Sequence, residues 1–93
     1  MPAISLTIEN TSLSPEEFDS LCADVFRELQ DNTPVDTGFC RDQWEYWIQG
    51  DTATFYNSTE YASYLEDGWS SQAPMGMIGP VLRDLPSMVN GYT

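Results

Sequence analysis

The strongest constraint on the fold is a helix start at Ser14, followed by apolar residues at helical spacing. Ser14 can cap the helix, Pro15 suits its first position, and Glu17 completes a capping box. The apolar residues that follow are Phe18, Leu21, Cys22, Val25, Phe26 and Leu29. Because Pro34 stops the pattern, we predict an amphipathic helix from Pro15 to about Asp31 that buries one face.

Two other regions have the patterns of β-structure. Residues 1–10 alternate between apolar and polar, as expected for a half-buried strand. Residues 41–49 form a second predicted strand, whose first face carries Trp44, Tyr46 and Ile48. Trp47 lies on its opposite face, which a helix or a neighbouring subunit would cover. The turn dipeptide at residues 50–51 precedes the β-branched and aromatic residues 52–56, so we predict a hairpin.

The C-terminal third predicts shorter elements. Residues 59–67 have one apolar face and Gly68 can close a helix, and a polar loop follows to residue 74. Beyond it, Met77 and Ile78 fit a short strand, or Pro80 begins a helix that Pro86 interrupts or bends. The residues that this helix would carry inward are Val81, Leu82, Leu85, Met88 and Val89. We therefore expect a single α+β domain over residues 1–93, with a small antiparallel sheet packed by one long N-terminal helix and shorter C-terminal helices.

The charge of the chain argues against one class of function. Fifteen acidic residues face three bases, Arg27, Arg41 and Arg83, and the net charge is −12. Nucleic-acid binding is disfavoured because Lys and Arg are needed to replace the counterions of phosphate. An acidic inhibitor that mimics DNA and acts on a host enzyme remains an alternative. No apolar run has the length of a membrane span and no signal-peptide pattern is present, so we expect a soluble protein made in the cytoplasm.

Few residues suggest catalysis or metal binding. Cys22 lies on the apolar helical stripe, Cys40 lies beside a turn, and the chain has no histidine to complete a Cys/His site. We therefore expect no metal, no cofactor and no catalytic residue. Asp36 begins the triplet D-T-G of aspartic proteases, so a retroviral-type protease is a second alternative. Pro34 precedes the triplet where such enzymes have a buried strand, which favours a tight turn in which Asp36 bonds nearby backbone.

Four segments of the chain form an ordered set. They are P-V-D-T-G at residues 34–38, the Trp-containing strand after it, Y-N-S-T-E-Y-A-S-Y-L-E-D-G at residues 56–68, and Q-A-P-M-G-M at residues 72–77. This set resembles a family of small structural proteins of long-tailed bacteriophages, the tail-completion or neck proteins, which include minor tail and head–tail connector components. The resemblance covers residues 33–79, about half of the chain.

The resemblance implies a virion structural protein that forms a ring at the head–tail junction or at the tail end. The implied partners are further copies of the chain in a hexamer, proteins of the connector or adaptor, and the tail tube or tail terminator. DNA would pass through the lumen without sequence-specific binding, and no membrane would be involved. The protein would be assembled in the host cytoplasm and located in the virion.

Two groups of residues are candidates for these roles. Exposed aromatic residues and the polar loop beside them are typical of protein interfaces, which gives the interface candidates Trp47, Tyr64, Trp69, Gln72, Pro74 and Met75. The candidates for structural roles within the motifs are Asp36, Thr37, Gly38, Arg41, Trp44, Tyr61, Glu66 and Gly68. Within this second group we predict a salt bridge from Arg41 to Asp36 or Glu66.

Overall fold

The computed structural model describes residues 4–33, 42–58 and 76–92. Along the chain these residues form β1 (Ile4–Glu9), α1 (Pro15–Asn32), β2 (Trp44–Gln49), β3 (Thr52–Asn57) and α2 (Ile78–Asn90). The three strands form one antiparallel sheet in the order β1-β3-β2. The predicted α+β class is confirmed, and α2 has 13 residues and begins at Ile78 rather than at Pro80.

The start of α1 has the predicted capping box. The backbone N–H of Glu17 donates to the Ser14 hydroxyl at 3.2 Å, and the Ser14 N–H donates to the Glu17 carboxylate at 2.9 Å. The helix runs to Asn32, one residue beyond the predicted end, and no basic residue lies in its last turn. Its buried face consists of Phe18, Leu21, Cys22, Val25 and Leu29, so the predicted core role of Cys22 is confirmed.

The sheet has an inner face covered by α1 and a more polar outer face. The register places Ile4, Leu6 and Ile8 beside the β3 residues Asn57, Phe55 and Ala53, and these beside Trp44, Tyr46 and Ile48 of β2. The inner-face aromatic rings of Tyr46 and Phe55 have their centroids 5.2 Å apart, and Tyr46 lies 4.9 Å from Phe26 of α1. The alternation along β1 and β2 therefore predicts the correct faces of the sheet.

The β2–β3 hairpin has a two-residue loop, since Gln49 pairs with Thr52. Gly50 has φ +62°. No non-glycine residue in the described ranges has positive φ, so φ is negative at Asp51. Positive φ at the first loop position alone is typical of a type II′ turn, whose twist matches that of the flanking strands. The hairpin is confirmed, with β2 beginning at Trp44 rather than at residue 41.

Two expectations for the C-terminal segment are wrong. Ile78 begins α2, so residues 77–78 form no strand, and the helix continues through Pro86. The apolar pattern predicts that Leu82 points inward, but 51% of this residue is exposed, whereas Val81 is fully buried. Pro86 has no N–H to donate to the carbonyl of Leu82, and both residues lie on the exposed side of α2. None of the helices in the described ranges is long and apolar enough to span a membrane.

Candidate interface surfaces and their supports

A buried polar joint lies where α1 ends and β2 begins. The Trp44 indole N–H donates to the Thr33 hydroxyl at 2.9 Å, and this hydroxyl lies 2.9 Å from the carbonyl of Leu29, to which it donates. Thr33 and Trp44 are only 2% and 3% exposed, so neither can exchange this bond for water. The joint fixes the direction in which the chain leaves the helix and enters the sheet.

The same joint holds the start of α2. The Thr33 hydroxyl lies 3.0 Å from the Met77 sulfur, and the Asn32 side-chain amide donates to the Met77 carbonyl at 3.1 Å. Asn57, the register partner of Trp44, is fully buried at the end of β3. These residues flank 34–41 and 59–75, the two segments with most of the candidate interface and motif residues. The joint therefore holds close together the described residues that come shortly before and after segments 34–41 and 59–75.

The outer face of the sheet carries an aromatic pair. The rings of Trp47 on β2 and Tyr56 on β3 are 6.3 Å apart at their centroids and inclined at 51°. Trp47 is 49% exposed, and the next residue, Ile48, is 37% exposed although it lies on the inner face. Exposed large apolar side chains thus lie on both faces of one edge strand. Trp47 and Tyr56 therefore form an aromatic surface on the outer face, and Ile48 is a separate apolar side chain exposed on the inner face.

The contact between α1 and α2 includes a pair of acidic side chains. Glu28 of α1 shares a side-chain hydrogen bond with Asp84 of α2. Burial raises the pKa of Glu28 to about 7, and the hydrogen bond and the negative charge of Asp84 act in the same direction. At neutral pH the Glu28 carboxyl is therefore protonated for part of the time. Nearby, the Tyr92 hydroxyl donates to Asp24 at 2.8 Å, which joins the C-terminal end of α2 to α1.

The described arginines are already paired within the chain. Arg27 lies 3.5 Å from Asp24, and Arg83 lies 3.4 Å from Asp84. Both guanidinium groups are largely exposed, so these pairs contribute little to stability. Among the described residues, no group of three or more His, Cys, Asp or Glu could hold a metal ion. Burial raises the pKa of Cys22 to about 11, which leaves this buried thiol protonated and unreactive at neutral pH.

Most of the predicted site residues lie outside the described ranges, so their roles remain predictions. These residues are Asp36, Thr37, Gly38, Arg41, Tyr61, Tyr64, Glu66, Gly68, Trp69, Gln72, Pro74 and Met75. The same holds for the Arg41 salt bridge, the thiol of Cys40, the helix at residues 59–67 and the loop after it. Of the remaining candidates, Trp44 belongs to the buried joint, and Trp47 lies on the outer face of the sheet. Sequence patterns missed Thr33, whose partners Trp44 and Met77 are 11 and 44 residues away.

Comparisons with known proteins identify the family. Residues 19–68 match the model of the HK97-gp10-like family, described as "Bacteriophage HK97-gp10, putative tail-component". This match covers more than half of the chain, from α1 through the hairpin to the segment after it. No curated protein and no solved structure gives a significant match. The family supports a structural role in the virion, with other phage proteins as partners, and the chain belongs to the HK97-gp10-like family of bacteriophage tail components.

Proposed function

We propose that this protein is the repeated subunit of a closed ring at the head–tail junction or the tail end of a long-tailed bacteriophage. Family membership is the observation that carries the proposal, because it makes the chain a tail component. The proposal goes beyond family membership in two respects: the chain associates with copies of itself, and the assembly lies on the path of the DNA. By analogy with tail-completion proteins the ring is a hexamer, in contact with a connector or adaptor protein on one side and the tail tube or tail terminator on the other.

The charge of the chain suits a ring through which DNA passes. A channel lined by Lys and Arg would bind phosphate more tightly with every counterion it displaces. This chain has no Lys, and both described arginines lie beside an Asp of their own chain. The acids available to line a non-binding channel are exposed on α1 and around the hairpin, at Glu16, Asp19, Asp31, Asp42, Glu45 and Asp51.

The same charge opposes self-association at low ionic strength. Every copy in a ring adds a net charge of −12 to a confined volume, so the copies repel one another. Salt screens this repulsion over a distance of about 10 Å at 0.1 M. We therefore expect assembly of the ring to be promoted by salt, whereas a contact built on attraction between opposite charges would be weakened by it.

The proposal is tested by the composition of purified particles. Quantitative mass spectrometry of virions should find this chain in several copies per particle, at a fixed ratio to the proteins of the head–tail junction or the tail. A chain that is absent from virions would contradict the proposal and favour the acidic inhibitor of a host enzyme. One copy per particle would contradict the ring.

A further inference from the structure

We propose that the subunits of the ring join through the edges of their sheets, with β2 of one copy hydrogen-bonded to β1 of the next. This inference rests on the proposed ring and adds the surface that builds it. The strand order β1-β3-β2 leaves β1 and β2 at opposite edges of the sheet. Within the described ranges, backbone hydrogen bonds of the sheet join only β1 to β3 and β2 to β3, so each outer edge presents a row of backbone donors and acceptors.

Within the described residues, the two edges lack most of the features that normally prevent pairing between copies. Natural edge strands are protected by charged side chains, especially lysine, by proline, by bulges, by very short length, or by a helix or loop that covers them. Here both strands have six residues, pair with β3 without a bulge, and contain neither lysine nor proline. Apart from one acid on each strand, the described part of the chain gives these two edges no such protection, which favours pairing between copies.

The distribution of acids favours the sheet edges over α1 for contact between copies. The three strands hold only Glu9 and Glu45, whereas α1 alone holds six acids, at Glu16, Glu17, Asp19, Asp24, Glu28 and Asp31. Contact between copies through α1 would place carboxylates against carboxylates. Contact through β1 and β2 brings one acid from each strand, so it meets less repulsion than contact through α1.

Apolar exposure on β2 adds a hydrophobic contribution to this contact. Trp47 and Ile48 point to opposite faces of the strand and are 49% and 37% exposed. A strand paired to β2 would cover part of both side chains at once. Leu82, the third exposed large apolar residue of the described ranges, lies apart from them on α2.

The topology is compatible with a ring built from head-to-tail contacts. Both β1 and β2 run antiparallel to β3, so they run parallel to each other. Rotation of one copy into the next therefore places β2 beside β1 of its neighbour as a parallel pair, and this head-to-tail contact repeats until the ring closes. Contact of β2 with β2, or of β1 with β1, has two-fold symmetry and is antiparallel, and it ends at a dimer.

Disulfide trapping in purified phage particles tests the proposed contact. Thr7 on β1 and residues Glu45, Trp47 and Gln49 on β2 share the outer face of the sheet. In a Cys40→Ser chain, Thr7→Cys is combined with a cysteine at one of the three β2 positions, and the single-cysteine variants serve as controls. Because paired strands place Cα atoms within disulfide range, one of these double variants should give a covalent ladder up to the full ring on oxidation. The single-cysteine variants should give only the monomer band after the oxidised particles are denatured.

The outcomes separate this inference from the proposed function. Dimers from a single-cysteine variant, or no ladder in particles whose micrographs show a ring of this chain, would overturn the β2–β1 contact and leave the ring standing. Micrographs without such a ring would overturn both.

A matched pair of lysine variants tests the apolar contribution. Ile48→Lys should be lost from particles, whereas Leu82→Lys makes the same change on α2 and should be incorporated like the wild type. Equal incorporation of the two folded variants would also overturn the inference.

Discussion

Replacing Thr33 by valine tests the buried joint between α1, β2 and α2. Valine keeps the shape of threonine but has no hydroxyl, so the Trp44 N–H loses its acceptor and the Leu29 carbonyl loses its donor. Trp44 is 3% exposed and Leu29 is fully buried, so water cannot replace the hydroxyl. A buried group left unpaired costs about 1–3 kcal/mol. After the gain from burying an additional methyl, we expect Thr33→Val to lower the free energy of unfolding by about 2–3 kcal/mol.

Urea unfolding measures this loss directly, and Thr33→Ser is the matched control. Serine keeps the hydroxyl and removes one methyl, so it should cost only about 1 kcal/mol. In a Trp44→Phe background the indole N–H is absent, and Thr33→Val should then cost markedly less than in the wild type. If Thr33→Val lowers the free energy of unfolding no more than Thr33→Ser does, the hydroxyl contributes nothing to stability. If Thr33→Val has the same effect in both backgrounds, the hydrogen bond from Trp44 contributes nothing.

Three further predictions concern other parts of the chain. Gly50→Ala should destabilise the protein by about 1–2 kcal/mol, because φ is +62° there, although nothing lies within 4 Å of an added Cβ. Gly79→Ala on α2 is the control: its added Cβ also has no close neighbour, and it should not destabilise the protein. The folded-state pKa of Glu28 is raised from 4.5 to about 7, so its contribution to stability should be full below pH 4.5 and lost as the pH rises to 7. Glu28→Gln should remove this loss from a plot of the free energy of unfolding against pH. An unchanged slope of that plot would refute the raised pKa of Glu28. Incubation with unstructured polypeptides at acid pH should give no cleavage by the wild type, and cleavage abolished by Asp36→Asn would establish the protease alternative.

Local signals in the sequence predict the framework of this fold well. The capping box at Ser14 and the turn at Gly50 each depend on residues within a few positions, and both form as predicted. The alternation in β1 and β2 also places their side chains on the correct faces of the sheet. These features are recognisable because the physical interactions that create them are themselves local.

Features that depend on tertiary contacts could not be predicted in this way. Leu82 fits an apolar helical pattern, but α2 buries a narrow stripe centred on Val81, and a pattern gives the direction of a stripe rather than its width. The Thr33–Met77 and Glu28–Asp84 contacts join residues 44 and 56 positions apart, where no spacing rule applies. For the candidate site, the sequence identified Trp47 as a residue on the second face of β2 but not Ile48 as its exposed neighbour.

Cryo-electron microscopy of the intact virion tests the central claim most directly. The account predicts a closed ring of this chain at the head–tail junction or the tail end, with more acidic than basic residues facing the DNA channel. The ring should contain a parallel pairing of β2 and β1 between adjacent copies. A virion in which the chain is a single copy, or a ring whose channel is lined mainly by Arg27, Arg41 and Arg83, would contradict it.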